Sequence, residues 1–233
     1  RQMCIRDRSR YEEIVKSSKS INKICEYIKS EEFFKKCIEN STEAFNKKGL
    51  KIKIPKFNQN SFDSLRFAKK FSILWALNKL RFVLFRIPFF GDLFERLSLS
   101  IFGNVAPTID VAQSAMGYEV GMHTDSRFKL MAGIIYLNTT KNDSDGETEF
   151  WSSEGLSNLE NQKRYPDKED INNSKLLMSV KPKAGRTVLF INSNDAYHSV
   201  KKFKGDKRNI IYFSFSVPIL DNIWKTDFKV KSL

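Results

Sequence analysis

Apolar and polar positions change period near the middle of the chain. From Tyr11 to about Lys48, apolar side chains recur at three- and four-residue spacing: Ile14, Ile21, Ile24, Cys25, Ile28, Phe33, Phe34, Cys37, Ile38 and Phe45. That period predicts two or three amphipathic helices with these positions buried and the intervening lysines solvated. Further on, six β-compatible runs are separated by Gly, Asn, Asp, Ser or Pro: residues 107–115, 130–138, 148–151, 175–181, 187–191 and 209–217. Many short strands with turn signals between them predict a sandwich or jelly roll. In the last run Arg208, Ile210, Tyr212, Ser214 and Ser216 share one face, and Ile211, Phe213, Phe215 and Val217 the other. The first face suits a polar interior, the second a seat for helices from the N-terminal half. The expected fold class is α+β with a mainly β core.

Residues 64–102 are the most apolar stretch, with 71–77, 82–85 and 87–90 nearly free of charge. Lys79, Arg81, Arg86, Asp92, Glu95 and Arg96 interrupt it, so no run reaches the ~18 residues of a membrane span. It reads as support helices with snorkelling cations at the rim. A second reading is a basic amphipathic element touching an anionic surface.

Charge divides the chain as the periodicity does. Residues 1–100 hold 22 Lys+Arg against 11 Asp+Glu, a net +11, and residues 101–233 hold 18 against 16, a net +2. A basic N-terminal extension with support helices (1–100) is therefore expected beside a jelly-roll core (101–233). The basic excess permits attraction to nucleic acid, lipid or acidic glycan without choosing among them. Cys4, Cys25 and Cys37 are too few and too scattered for a disulfide framework or a zinc cluster, which suits a reducing, cytoplasmic setting. Residues 1–8 begin without Met and are treated as a fragment start or foreign leader with no functional weight.

The only two histidines carry the candidate chemistry. His123 stands in His123-Thr124-Asp125, and His198 follows 73 residues after Asp125, with Arg208 ten residues beyond it. Two imidazoles and a carboxylate on one face of Fe(II) leave the opposite positions open, the ligand set of non-haem iron oxygenases. In HxD the two-residue period of a strand sends both side chains to one side. Arg208 offers a planar, permanently charged fork for a carboxylate.

The segments Gly121–Asp125, Ile135-Tyr-Leu-Asn138, Asp145-Gly-Glu-Thr-Glu-Phe150, Gly185–Phe190 and Tyr197-His-Ser-Val200, followed by Arg208, resemble the 2-oxoglutarate/Fe(II)-dependent oxygenase superfamily, in its prolyl 4-hydroxylase-like branch. The resemblance covers about residues 101–218. It implies a double-stranded β-helix (jelly roll) with His123, Asp125 and His198 as iron ligands. Arg208 and Tyr136 would anchor the distal carboxylate of 2-oxoglutarate. It further implies O2 as co-substrate, with room for ascorbate, and hydroxylation of an unactivated C–H bond with release of succinate and CO2.

Departures from the family pattern narrow this. Arg208 stands where collagen-type enzymes have Lys. Ser214 occupies the place of the second arginine of nucleic-acid demethylases, so nucleic acid is not expected as a partner. Asp125 is present where related halogenases have a small residue. The substrate is expected to be a protein side chain such as proline, a small molecule or a glycan, and the fold does not select among them. Arg127 and Lys129 read either as contacts for an anionic substrate or, preferably, as exposed loop charges. Residues 152–174 read as a substrate lid or a surface loop. Two alternatives use the same residues differently: an iron dioxygenase independent of 2-oxoglutarate, insensitive to loss of Arg208, and a non-catalytic binding or membrane-surface protein, insensitive to loss of the triad. Oligomeric state is not legible.

Overall fold

The structure is a computed structural model that describes residues 3–4, 17–57, 105–126, 128–141, 143–152, 164–217 and 223–224. In chain order its elements are β1 (Met3–Cys4), α1 (Lys19–Ile28), α2 (Glu31–Lys47), β2 (Ala106–Ser114), β3 (Val120–His123), β4 (Lys129–Tyr136), β5 (Thr148–Trp151), α3 (Lys168–Asn173), β6 (Leu176–Val180), β7 (Thr187–Ile191), β8 (Tyr197–Val200) and β9 (Arg208–Ser216). Among the described residues two antiparallel sheets form, one ordered β1-β2-β9-β4-β7 and the other β3-β8-β5-β6. This is the mainly β jelly roll expected, with helices on one outer face.

The helices start and stop where local chemistry tells them to. The Ser18 hydroxyl accepts from Ile21 N–H and the Ser30 hydroxyl from Phe33 N–H, each satisfying an otherwise orphaned amide. Glu31 and Glu32 lie in the first turn of α2 and Lys47 in its last, matching the helix dipole. At its end, Gly49 takes φ 67°, its N–H donates to Asn46 O, and Leu50 N–H reaches back to Phe45 O. That paired pattern closes the helix and needs a residue free to enter the left-handed region.

Burial follows the predicted helical stripe. Cys25, Ile28, Phe34, Cys37 and Phe45 are buried, and Ile21, Ile24, Phe33 and Ile38 pack against them, while Ile14 lies outside the described residues. They meet the apolar face of β9: Phe33 lies 5.5 Å from Phe213 and Phe34 lies 5.1 Å from Phe215, centroid to centroid. Phe213 can lie flat on the sheet because its partner in β4 is Gly133, where an added Cβ would come within 2.3 Å of the ring. The helices and the larger sheet thus share one core, and that core fixes β9, whose other face carries Arg208 and Tyr212.

Two strands escape the apolar pattern. β3 and β8 are four residues each, and Val120-Gly-Met-His and Tyr197-His-Ser-Val carry no long apolar run. Pairing with neighbours rather than propensity makes them strands. Within the segment read as lid or loop, residues 168–173 form the short helix α3, and residues 153–163 lie outside the described residues. The two readings of residues 64–102 also fall there. No helix among the described residues is long and apolar enough to cross a membrane.

Candidate metal centre and anion well

The smaller sheet brings the two histidines face to face. His123 ends β3 and His198 lies on β8, directly opposite it in register, so both imidazoles project from one face. Their ring centroids are 4.3 Å apart. Asp125, just past the strand, turns its carboxylate toward them, and one ligand atom from each of the three lies within 4.8 Å of the others. The sequence-predicted triad therefore converges on one point.

Each imidazole is oriented by a backbone carbonyl. His123 Nδ1 lies 2.9 Å from Gly121 O and His198 Nδ1 lies 3.0 Å from Ala196 O. A carbonyl only accepts, so each Nδ1 carries the proton and each Nε2 keeps a lone pair. Burial, reinforced by the neighbouring His123, pushes the His198 imidazole down to about 4, and burial also lowers His123. Both rings are thus neutral near pH 7, the form that binds metal. Tyr165 stacks on His123 at 5.8 Å, and Phe190 packs on His198 at 4.9 Å.

Asp125 is buried yet well supplied with partners. Tyr212 Oη donates to its Oδ2 at 2.7 Å, Lys129 Nζ lies 3.1 Å from the same oxygen, and Arg164 Nη2 lies 3.9 Å from Oδ1. Burial alone would raise this carboxyl, but Lys129, His198 and the Tyr212 hydroxyl together hold it below the usual range. This corrects the expectation for Lys129, which is no exposed loop charge: it starts β4 and its side chain is only 17% exposed. Arg127 lies outside the described residues.

Arg208 and Tyr136 come together beyond the triad. Arg208 opens β9 at 1% exposure, and its guanidinium carbon lies 5.3 Å from the centre of the Tyr136 ring. Its Nη2 donates to Thr148 Oγ1 at 3.3 Å, and Tyr136 Oη is 2.7 Å from the same hydroxyl. Arg208 Nε and Nη1 are buried with no protein partner, an arrangement that calls for an anionic ligand because a buried cation is costly unless paired. Asn138 clamps the entrance of β9, accepting from Asn209 N–H at 2.7 Å and donating to Lys207 O at 2.9 Å. Gly146, at φ 80°, lets the turn before β5 pass close to Arg208, 3.4 Å from where a Cβ would stand. Arg208 and Tyr212 are four residues apart on one face of β9, about 13 Å of strand at 3.3 Å per residue.

Four contributors were not singled out from sequence: Thr148, Arg164, Tyr165 and Tyr212. Tyr212 had been placed on the polar face of the last strand and Thr148 inside a motif, so strand period pointed at both. Nothing local marked Arg164. It is anchored by its Nε donating to Thr124 O at 3.0 Å and its carbonyl accepting from Thr124 N–H at 2.9 Å. Beside it a polar cavity of about 220 Å³ opens next to Asp125, bounded also by Ser126, Asn192 and Ser193.

The donor set fits a divalent iron site, since two neutral nitrogens and one carboxylate oxygen converge. The buried Arg208 atoms without partners fit a carboxylate such as that of 2-oxoglutarate.

Comparison with known proteins gives the same picture. Residues 109–215 match the model of the 2OG-Fe(II) oxygenase superfamily. No curated protein sequence matches the chain. Among solved structures, a prolyl hydroxylase from Trichoplax adhaerens, in complex with a hypoxia inducible factor oxygen degradation domain peptide fragment, is 20% identical, with 54% of this chain and 52% of that one covered at a TM-score of 0.35. A prolyl-4-hydroxylase from Pseudomonas putida is 17% identical over 52% and 58%, TM-score 0.34. An oxidoreductase of the 2OG-Fe(II) oxygenase family from Burkholderia pseudomallei is 17% identical over 52% and 51%, TM-score 0.33. The matched part spans a little over half the length of these structures.

Proposed function

Residues 109–215 belong to the 2OG-Fe(II) oxygenase superfamily, and from that premise we propose that the chain is an Fe(II)- and 2-oxoglutarate-dependent dioxygenase that hydroxylates an unactivated C–H bond. The observation that carries the proposal is a converging His-Asp-His cluster together with a buried arginine lacking a counter-anion, which shares a face of β9 with the Tyr212 that donates to Asp125. His123, Asp125 and His198 would hold the iron; Arg208, with Tyr136 and Thr148 around it, would take the distal carboxylate of 2-oxoglutarate. When bound, these groups supply oxidative decarboxylation to succinate and CO2 and delivery of one oxygen atom of O2 to the substrate.

The chain's own side chains do the positioning. The Gly121 and Ala196 carbonyls fix each ring so that Nε2 is the free donor. Arg208 pairs with a carboxylate in a dry site where the charge-assisted bonds are strong, and Tyr136 limits where its guanidinium can lie. Phe150 and Phe190, 5.2 Å apart, wall the side of His198 with carbon and exclude water there. The polar cavity beside Arg164 is small enough for a single side chain or a small molecule. The substrate belongs to that class, with a prolyl side chain the form suggested by the branch the motifs resemble. Ascorbate as an auxiliary reductant and a cytoplasmic location, argued from three scattered cysteines that form no disulfide framework, complete the reading.

The test is incubation of the iron-loaded protein with 2-oxoglutarate and O2 against proline-containing peptides and small molecules. Succinate release in step with the gain of one oxygen atom by a substrate is expected. No succinate with any of them, from protein shown to bind both iron and 2-oxoglutarate, would count against a dioxygenase acting on this substrate class.

A further inference from the structure

The two oxygens of Asp125 have unequal surroundings. Oδ2 accepts from Tyr212 Oη at 2.7 Å and faces Lys129 Nζ at 3.1 Å, while among the described residues Oδ1 has Arg164 Nη2, at 3.9 Å. The two partners of Oδ2 also hold each other: Lys129 Nζ donates to Tyr212 Oη at 2.6 Å and lies 5.0 Å from the centre of its ring. They come from β4 and β9, neighbours in the larger sheet, where Tyr212 is registered opposite Ile134 in β4 and Asp110 in β2. Lys129, by contrast, sits at the strand end where the register shifts. A cation and a hydroxyl from the rigid sheet therefore close a three-membered network on one carboxylate oxygen.

We propose that Lys129 and Tyr212 are positioning residues that hold Asp125 by Oδ2 and reserve Oδ1 for the metal. This rests on the iron reading above and gives two of the residues around Asp125 a defined role in it. A carboxylate's terminal torsion is broad and nearly two-fold, so an unrestrained Asp125 would turn freely or present both oxygens to a cation. Two charge-assisted bonds to one oxygen remove that freedom, and a single oxygen donor leaves one more coordination position open. The Asp125 side chain is only 8% exposed and Tyr212 is half-buried, which limits competition from water for these bonds.

The test uses the full chain with Co(II) as a redox-stable probe of the metal site. Tyr212→Phe removes one hydroxyl and keeps the ring. Co(II) affinity is expected to fall about 10- to 100-fold, with a changed visible Co(II) spectrum and an unchanged near-ultraviolet circular dichroism spectrum. For Lys129, removing a cation near the metal and loosening Asp125 act on affinity in opposite directions, so the spectrum is the readout. Lys129→Met should shift it as Tyr212→Phe does, and Lys129→Arg should restore the wild-type spectrum. Folded Tyr212→Phe protein that binds Co(II) within about twofold of wild type with an unaltered spectrum overturns the proposal, as does a wild-type spectrum from Lys129→Met. Wild-type protein that takes up no Co(II) overturns the iron reading itself, and this inference with it.

Discussion

The two ends of the jelly-roll interior bury charge in opposite ways. At the triad, the carboxylate of Asp125 is matched from the protein by Lys129, Tyr212 and Arg164. At the other end, Arg208 is more deeply buried and, among the described residues, meets the Thr148 hydroxyl and the Tyr136 ring, with Nε and Nη1 unpartnered. The first end carries its own counter-charges on Asp125 Oδ2 and leaves the two imidazole nitrogens and Oδ1 for a metal, on the reading proposed above. The second is completed only by an anion from outside. The contrast teaches that preorganisation here has two forms: one site held in shape by its own counter-charges, the other held ready by an unmet charge that the surrounding sheet prevents from relaxing.

Opposite stability effects should follow from cutting each end. Asp125→Ala removes a proposed metal ligand and takes away the carboxylate that Lys129 faces. Metal binding should be lost and the ligand-free protein destabilised by about 3 kcal/mol, checked by calorimetric titration and urea unfolding. Arg208→Met should leave metal affinity near wild type while weakening 2-oxoglutarate binding about 300-fold, the ~3.4 kcal/mol of a truncated buried charge pair. Yet the same substitution should raise the ligand-free unfolding free energy by about 1 kcal/mol, because a poorly paired buried cation gives way to an apolar side chain. If both variants lower stability alike, the contrast between the ends is broken.

The last strand shows why so much of this was legible. Its two-residue period alone put Arg208 and Tyr212 on one face and Phe213 and Phe215 on the other, and the structure keeps that division. The triad was readable because only two histidines exist and a carboxylate follows the first by two residues, although β3 ends at His123 and Asp125 lies just past it rather than within the strand. What stayed hidden depends on contacts between distant segments. Lys129 follows Asp125 by four residues, but only the pairing of β4 with β9 shows that it meets Tyr212. Arg164 sits in a polar stretch whose composition fits a loop, and only its two bonds to Thr124 bring it to the site. β3 and β8 are too short to carry a period, so pairing alone defines them.

Acid should sharpen the comparison at the triad end. In the folded protein His198 titrates at about 4, below the 6.5 of an ordinary imidazole. Between those values the unfolded chain takes up a proton that the folded one refuses. This contribution to stability is therefore complete above about pH 6.5 and lost as pH falls toward 4. It amounts to roughly 3 kcal/mol across that window, with His123 shifting in the same direction. Urea midpoints of ligand-free wild type should drop from pH 7 to pH 4.5, and His198→Ala should flatten the dependence.

The smallest effect on ligand binding should come from outside both ends. Gly133→Ala pushes a methyl group toward the Phe213 ring and should cost about 1–3 kcal/mol of stability. Metal and 2-oxoglutarate affinities measured on the folded fraction should be nearly unchanged, since the overpacked side faces the helices. A large loss of metal affinity in this variant would show that the helix-facing core, and not the network around Asp125, sets the triad.

The measurement that tests the central claim most directly is an anaerobic titration of ligand-free protein with Fe(II) and then 2-oxoglutarate, following the weak visible charge-transfer band of the ternary complex. The account predicts a band in wild type, none in His198→Ala, and in Arg208→Met a band that appears only at much higher 2-oxoglutarate. Iron-loaded wild type that gives no band, or an Arg208→Met titration that overlays wild type, would contradict it.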